Sequence, residues 1–256
     1  MIESISSTIN SIELTNFDWL LAFIGAILLG IGKAGLKGIG VVIVTLMAIV
    51  FGGKQSTGVL IPMMVIADVF AVIYYHRHTQ WKYLIKLLPT MVIGVLIGVW
   101  LGNDISDVVF KQLMAVLILG IVVVMIYMDR KKNNEIPTSK IFSNSIGLLS
   151  GFTSMIGNLA GSFSNIYFLA MRLPKNEFIG TAAWLFFIIN VFKLPFHIFV
   201  WKTVSPESLI INLFLVPGII FGFYVGIKLV KLINNEIYRK FILLVTGIGA
   251  IVILFR

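Results

Sequence analysis

Cysteine is absent from this chain of 256 residues, which excludes disulfides, thiolate-held metals and a cysteine nucleophile. Charge is scarce as well. Asp, Glu, Lys and Arg make up 12% of the residues, about half of what a soluble domain carries. Hydrophobic residues reach 59% and the mean hydropathy is +1.02. A chain of this composition cannot cover itself with polar groups in water. Lipid is its expected solvent, where only helices and closed barrels satisfy their own backbone. The apolar runs are about 15–22 residues long, a helical length, whereas barrel strands would be roughly 10 alternating residues.

Acids are the scarcer sign, 11 against 20 Lys and Arg, giving a net charge of +9. In a membrane protein such an excess belongs to short loops that orient the chain, so no nucleic-acid partner is expected. There is no Gly-Lys-Ser/Thr phosphate loop, no His-Glu-x-x-His and no suggestively spaced Ser/His/Asp set. ATP use and hydrolytic chemistry therefore lack support, and neither enzyme activity, cofactor nor metal is expected. His76 and His78, flanking Arg77, have no further ligands nearby. With His197 they are expected at the membrane interface. The first 18 residues hold Glu3, Glu13 and Asp18 without a Lys or Arg, unlike the basic start of a secretory signal.

What is present is a series of apolar segments, near 17–32, 38–51, 58–75, 83–101 and 110–128, then 141–156, 160–171, 177–200, 207–230 and 236–255. The polar run from Asp129 to Pro137 divides five from five. The expected organisation is an N-terminal tail (1–16), a first membrane repeat (17–128), a cytoplasmic linker (129–140) and a second repeat (141–256). Pro89, Gly94, Gly98, Phe110 and Lys111 match Pro217, Gly222, Gly226, Tyr238 and Arg239 at a spacing of 128. Gly58, Asp68, Val69 and Phe70 match Gly180, Asn190, Val191 and Phe192 at 122, and Gly40 and Lys54 match Gly161 and Lys175 at 121. With the loops near 76–86 and 129–140 inside, thirteen Lys and Arg fall inside and five outside, with Lys33 and Lys37 set apart. Both termini are then expected outside. An odd number of segments per half makes the halves enter from opposite faces, the inverted-repeat plan of secondary transporters. The fold class is thus an all-α polytopic bundle of two inverted repeats, with about 8–10 membrane segments including short or re-entrant ones.

The chemistry is expected where segments are short and broken by glycine at corresponding places in the two halves. These are Gly30-Ile31-Gly32-Lys33-Ala34-Gly35-Leu36-Lys37-Gly38-Ile39-Gly40 and Gly151-Phe152-Thr153-Ser154-Met155-Ile156-Gly157-Asn158-Leu159-Ala160-Gly161. The repeat alignment sets Lys33 opposite Ser154 and Lys37 opposite Asn158. If the hairpins dip from opposite faces, Lys33, Lys37, Thr153, Ser154 and Asn158 surround a small anion; the alternative is that both lysines sit in a cytoplasmic loop. Asp68, the acid of segment 58–75, is a candidate for proton coupling or for an ion pair with Lys33 or Lys37. Its mate Asn190, with Lys193 and Trp184, completes a set of cavity candidates. For Lys193 the preferred expectation is snorkelling to the outer face, and for Trp184 it is packing.

The runs Gly32-Lys33-Ala34-Gly35-Leu36-Lys37-Gly38, Ser56-Thr57-Gly58 with Pro62, and Asp68-Val69-Phe70-Ala71-Val72 resemble the TauE/SafE sulfite-exporter-like membrane proteins. So does the stretch from Leu173-Pro174-Lys175 to Ala182-Ala183-Trp184. The resemblance implies a multi-pass permease for sulfite, a sulfonate or a related small anion. Lys33 and Lys37 stand where many members carry a longer glycine run. The expected function is alternating-access transport of such an anion across a prokaryotic cell membrane, export favoured, with lipid and the anion as partners and a homo-oligomer compatible with the small-residue faces. A proton- or cation-coupled importer and a non-transporting scaffold or assembly factor are the alternatives.

Overall fold

A computed structural model of the chain describes residues 14–103 and 139–234, with positions 105, 106, 108, 109, 112, 113, 116 and 237. The segments expected at 110–128 and 236–255 fall almost wholly outside these residues. Among the described residues there are eight α-helices and no strand. They are α1 (Asn16–Lys33), α2 (Gly40–Phe51), α3 (Gly53–Tyr75), α4 (Trp81–Asn103), α5 (Lys140–Gly157), α6 (Ala160–Ala170), α7 (Lys175–Pro195) and α8 (Pro206–Leu232). Five are long and apolar enough to span a bilayer: α1, α3, α4, α7 and α8. Their outer surfaces carry exposed Leu20, Ile85, Trp100, Leu213 and Phe221, which lipid can accommodate and water cannot.

Local chemistry sets the helix ends. The Thr15 hydroxyl accepts from the Asp18 N–H and the Asp18 carboxylate accepts from the Thr15 N–H, a capping box that starts α1. Ser205 and Ser208 do the same for α8, with Pro206 in the first turn. The α1–α2 turn passes through Gly35 and Gly38, whose φ angles of 132° and 100° suit glycine. At the matching place α5 ends on Asn158 in the left-handed region, φ 55°, a conformation asparagine tolerates. Helix α3 begins at Gly53 rather than near 58, because Ser56 and Thr57 return their hydroxyls to the carbonyls of Gly53 and Lys54 and remain helical.

The halves interlock through equivalent contacts. A Cβ on Gly94 of α4 would collide with the Leu148 carbonyl of α5, and one on Gly222 of α8 with the Ile27 carbonyl of α1. Gly151 meets the Met91 carbonyl as Gly30 meets that of Ile219, and Gly98 faces Met155 as Gly226 faces Ala34. All three pairings keep the spacings of 121 and 128 read from the sequence. Each half therefore packs its first helix against the fourth helix of the other. The central pair, α3 and α7, runs antiparallel. Gly58 near the start of α3 abuts Thr203 beyond α7, while Gly180 near the start of α7 abuts Tyr75 and His78. Equivalent helices thus point opposite ways, as an inverted repeat requires.

These close approaches generate a test. Gly94→Val and Gly222→Val force backbone apart at equivalent interfaces and should each destabilise the folded protein by about 3 kcal/mol or more. Nothing lies within 4 Å of a Cβ on Gly40, so Gly40→Ala should stay within about 0.5 kcal/mol of the parent. Thermal unfolding in detergent reads all three; a Gly222→Val protein with the parental Tm would refute the interlock.

Candidate functional site

Two helices stop inside the bundle. Helix α1 ends at Lys33 and the chain returns as α2; α5 ends at Gly157 and returns as α6. The two hairpin turns line one cavity of about 80 Å³, together with Met64 of α3 and Phe186 and Asn190 of α7. That space holds several waters, or one small polyatomic anion in their place. The first residues of α2 (Gly40, Val41) and of α6 (Ala160, Gly161, Ser162) border it. Neither helix start has a side-chain cap, and the positive dipole ends of the two helices favour negative charge there.

Lys33, Lys37, Ser154 and Asn158, brought together on paper by the repeat alignment, all line this cavity. Lys33 donates to the Asp68 carboxylate at 2.5 Å, and Asn190 donates to the other carboxylate oxygen at 2.6 Å. Of the two roles expected for Asp68, the geometry is that of the ion pair. Lys37 is 5% exposed, and its ammonium is without a hydrogen-bond partner. It stands 5.5 Å from the centroid of the Phe186 ring, and Lys33 stands 5.2 Å from the same ring, within range of a cation–π attraction. The cytoplasmic-loop alternative for these two lysines does not match their burial. The Ser154 hydroxyl is also buried without a partner. The cavity therefore holds two unspent donors, one of them charged.

Several expectations need correction. Lys193 does not snorkel: it is wholly buried and donates to the Ser154 carbonyl and the Asn158 Oδ1, both at 2.8 Å. There it neutralises the negative end of α5, and that pairing outweighs access to water. Asn158 in turn donates to the Thr57 carbonyl at 3.3 Å, which ties the turn to both central helices. Thr153 is buried but does not border the cavity; its hydroxyl donates to the Leu149 carbonyl at 2.7 Å. Trp184 packs on Trp81 at 5.3 Å and on Phe187, in line with the preferred expectation, and does not border the cavity. His76 and His78 are exposed, whereas His197, one turn beyond Lys193 and near the end of the span Lys175–Val200, is fully buried among protein groups. Sequence reasoning missed Phe186, Ser162 and Asn165 in the lining. For Asn165 the signal was a polar residue inside a short apolar run; Phe186 gave none.

With all four ionised, three lysines face one carboxylate in a medium where an unpaired charge is costly. Asp68→Asn should strand the Lys33 ammonium and cost about 3–5 kcal/mol, lowering Tm in detergent, whereas Asp68→Leu combined with Lys33→Met should recover most of it. A single variant as stable as the parent would show the pair to be dispensable.

Among the described residues, no three His, Asp or Glu side chains cluster as metal ligands. None of the curated proteins and none of the solved structures compared with the chain matches it. A family model described as sulfite exporter TauE/SafE does match, over residues 6–253. With that match spanning nearly the whole length of an inverted helical bundle, the chain belongs to the sulfite exporter TauE/SafE family.

Proposed function

We propose that this multi-pass membrane transporter moves a small anion, sulfite, a sulfonate or a related organic anion, through the cavity between the two hairpin turns. The single observation that carries this reading is the Lys37 ammonium, buried without a partner where two uncapped helix starts converge. An anion there would accept from Lys37 and the Ser154 hydroxyl, and would offset the excess of buried lysines over Asp68. Lys33, held by Asp68, shapes the field and keeps α1 against α3. Asn158 and Lys193 brace the second turn, and Asn190 orients the Asp68 carboxylate.

The two repeats, taken as 17–128 and 141–256, alternate access to this cavity in the proposed cycle. One end of the bundle carries exposed Arg77, Lys82, Lys86, Lys140, Arg172, Lys228 and Lys231; the opposite end carries Lys54 and Lys202. The basic end is the cytoplasmic one in our reading. An anion moved alone out of a negative cytoplasm gains about 2.3 kcal/mol per charge per 100 mV, so export needs no chemical fuel.

A thermal-shift and flux series tests the site. Sulfite, methanesulfonate or sulfate should raise the Tm of the detergent-solubilised protein, by about 2.7 kcal/mol of stabilisation at a hundredfold excess over Kd. Lys37→Ala should weaken the effective ligand roughly 10- to 100-fold, the worth of one hydrogen bond to a charged group, and depress anion flux into liposomes to match. Flux unchanged in Lys37→Ala would remove this residue from the site, and the absence of flux with every anion would favour a scaffold.

A further inference from the structure

His197 is the one buried imidazole among the described residues. It sits in a π-helical turn, Phe196–Val200, that follows α7. The chain beyond wraps around it. The N–H groups of Thr203 and Val204 both reach the His197 carbonyl, at 2.9 and 3.3 Å. The ring Nδ1 meets the Thr203 hydroxyl at 2.9 Å. A hydroxyl can accept from an N–H or donate to a lone pair, so this bond survives whichever way the ring is protonated. The other nitrogen, Nε2, is buried with no partner at all. The Trp201 ring lies edge-on over the imidazole at 5.2 Å and is itself anchored by its indole N–H to the Val99 carbonyl.

Lys193 precedes His197 by one helical turn on the same stretch of chain. Around the turn, Lys54 of α3 lies behind Trp201, 5.2 Å from its ring. Helix α4 presents its Asn103 end here, with Lys82 and Lys86 at its far end, and Lys202 and Glu207 are exposed. Asp68 is taken up by Lys33 and Asn190. A proton on Nε2 would therefore meet a neighbouring cation and no nearby acid among the described residues; the ring does not itself border the cavity, so the counter-charge of an entering anion would reach it through Lys193. The link is short: His197 adjoins Lys193, and Lys193 holds Ser154 and Asn158, which line the cavity.

We infer that His197 is the proton-binding site of this transporter, taking up a proton at Nε2 when an anion occupies the cavity and releasing it when the anion leaves. This rests on the anion-transport reading above and deepens it. Linkage is reciprocal: if the anion favours the protonated ring, the protonated ring tightens anion binding by the same factor. A proton carried with a monovalent anion would cancel the electrical term that favours export of the anion alone, so that the pH gradient and the anion gradient together set direction.

Methanesulfonate, which takes up no proton of its own near neutral pH, is the probe. The full-length protein in detergent and weak buffer is titrated with it while an indicator dye reads proton uptake, and Kd is measured across the pH range. The wild type should take up close to one proton per anion bound, with Kd rising up to about tenfold per pH unit on the alkaline side. His197→Asn and His197→Gln should bind methanesulfonate without uptake and with a flat pH profile. Histidine-labelled protein with His76→Gln and His78→Gln leaves His197 as the remaining imidazole; its carbon shifts should move to the protonated position on anion addition at fixed pH, a readout that leaves His197 itself unaltered. Binding without proton uptake, uptake persisting in both His197 variants, or an unmoved imidazole signal overturns the inference and leaves the anion site standing. A wild type that binds neither methanesulfonate nor sulfate overturns both.

Discussion

The Lys193 ammonium, seated on the Ser154 carbonyl near the end of α5 and on the Asn158 side chain, meets the constraint that governs the whole bundle. A helix that ends inside an apolar protein leaves carbonyls without partners, and no water is at hand to take them. The second hairpin meets this demand with a lysine from α7 and with the Asn158 contact to Thr57. The first meets it differently: the Tyr75 hydroxyl donates to the Ala34 carbonyl at 2.7 Å, and the two glycines after α1 turn the chain at once. With these C-terminal carbonyls answered by protein groups, the buried side-chain atoms left without a partner in the cavity lining are the Lys37 ammonium, the Ser154 hydroxyl and the Asn165 side-chain oxygen. The polarity of the site follows from which groups the fold leaves open.

The two halves share a backbone plan and differ in charge. Lys33 and Lys37 of the first half correspond to neutral Ser154 and Asn158, and Asp68 corresponds to Asn190. Lys193 falls opposite Ala71, and His197 opposite Tyr75, at the spacing of 122. The symmetric frame brings the turns together, and its unsymmetric decoration makes one cavity with a definite charge pattern. Tyr75 and His197 show this well. The first locks a hairpin carbonyl with a neutral hydroxyl, whereas the second presents a nitrogen with nothing bound to it.

Much of this was legible before any coordinates. Composition gave lipid as solvent, run length gave helices, and the offsets of 121 and 128 recur as glycine-to-carbonyl contacts between α1 and α8 and between α4 and α5. Lys33, Lys37, Ser154 and Asn158 could be placed together because internal symmetry carries three-dimensional information in a single sequence. Lys193 was misread because burial inside a bundle depends on helix pairing, which hydropathy does not encode. A lysine near the end of an apolar run reads as snorkelling until a helix end is found waiting for it. Thr153 was misread for a different reason. A hydroxyl one turn from a helix end can serve its own backbone, and only geometry tells that use from a ligand contact.

The clasp between α1 and α8 has a consequence for biogenesis. Gly222 lies against Ile27, so α1 finds its packing partner only after nearly 200 further residues have been made. Until then its small-residue face is open to lipid or to other proteins of the insertion machinery. The α4–α5 clasp joins closer stretches of chain and can close earlier. Contacts of long sequence separation form late and slowly, so α1 depends on being kept in place until α8 arrives.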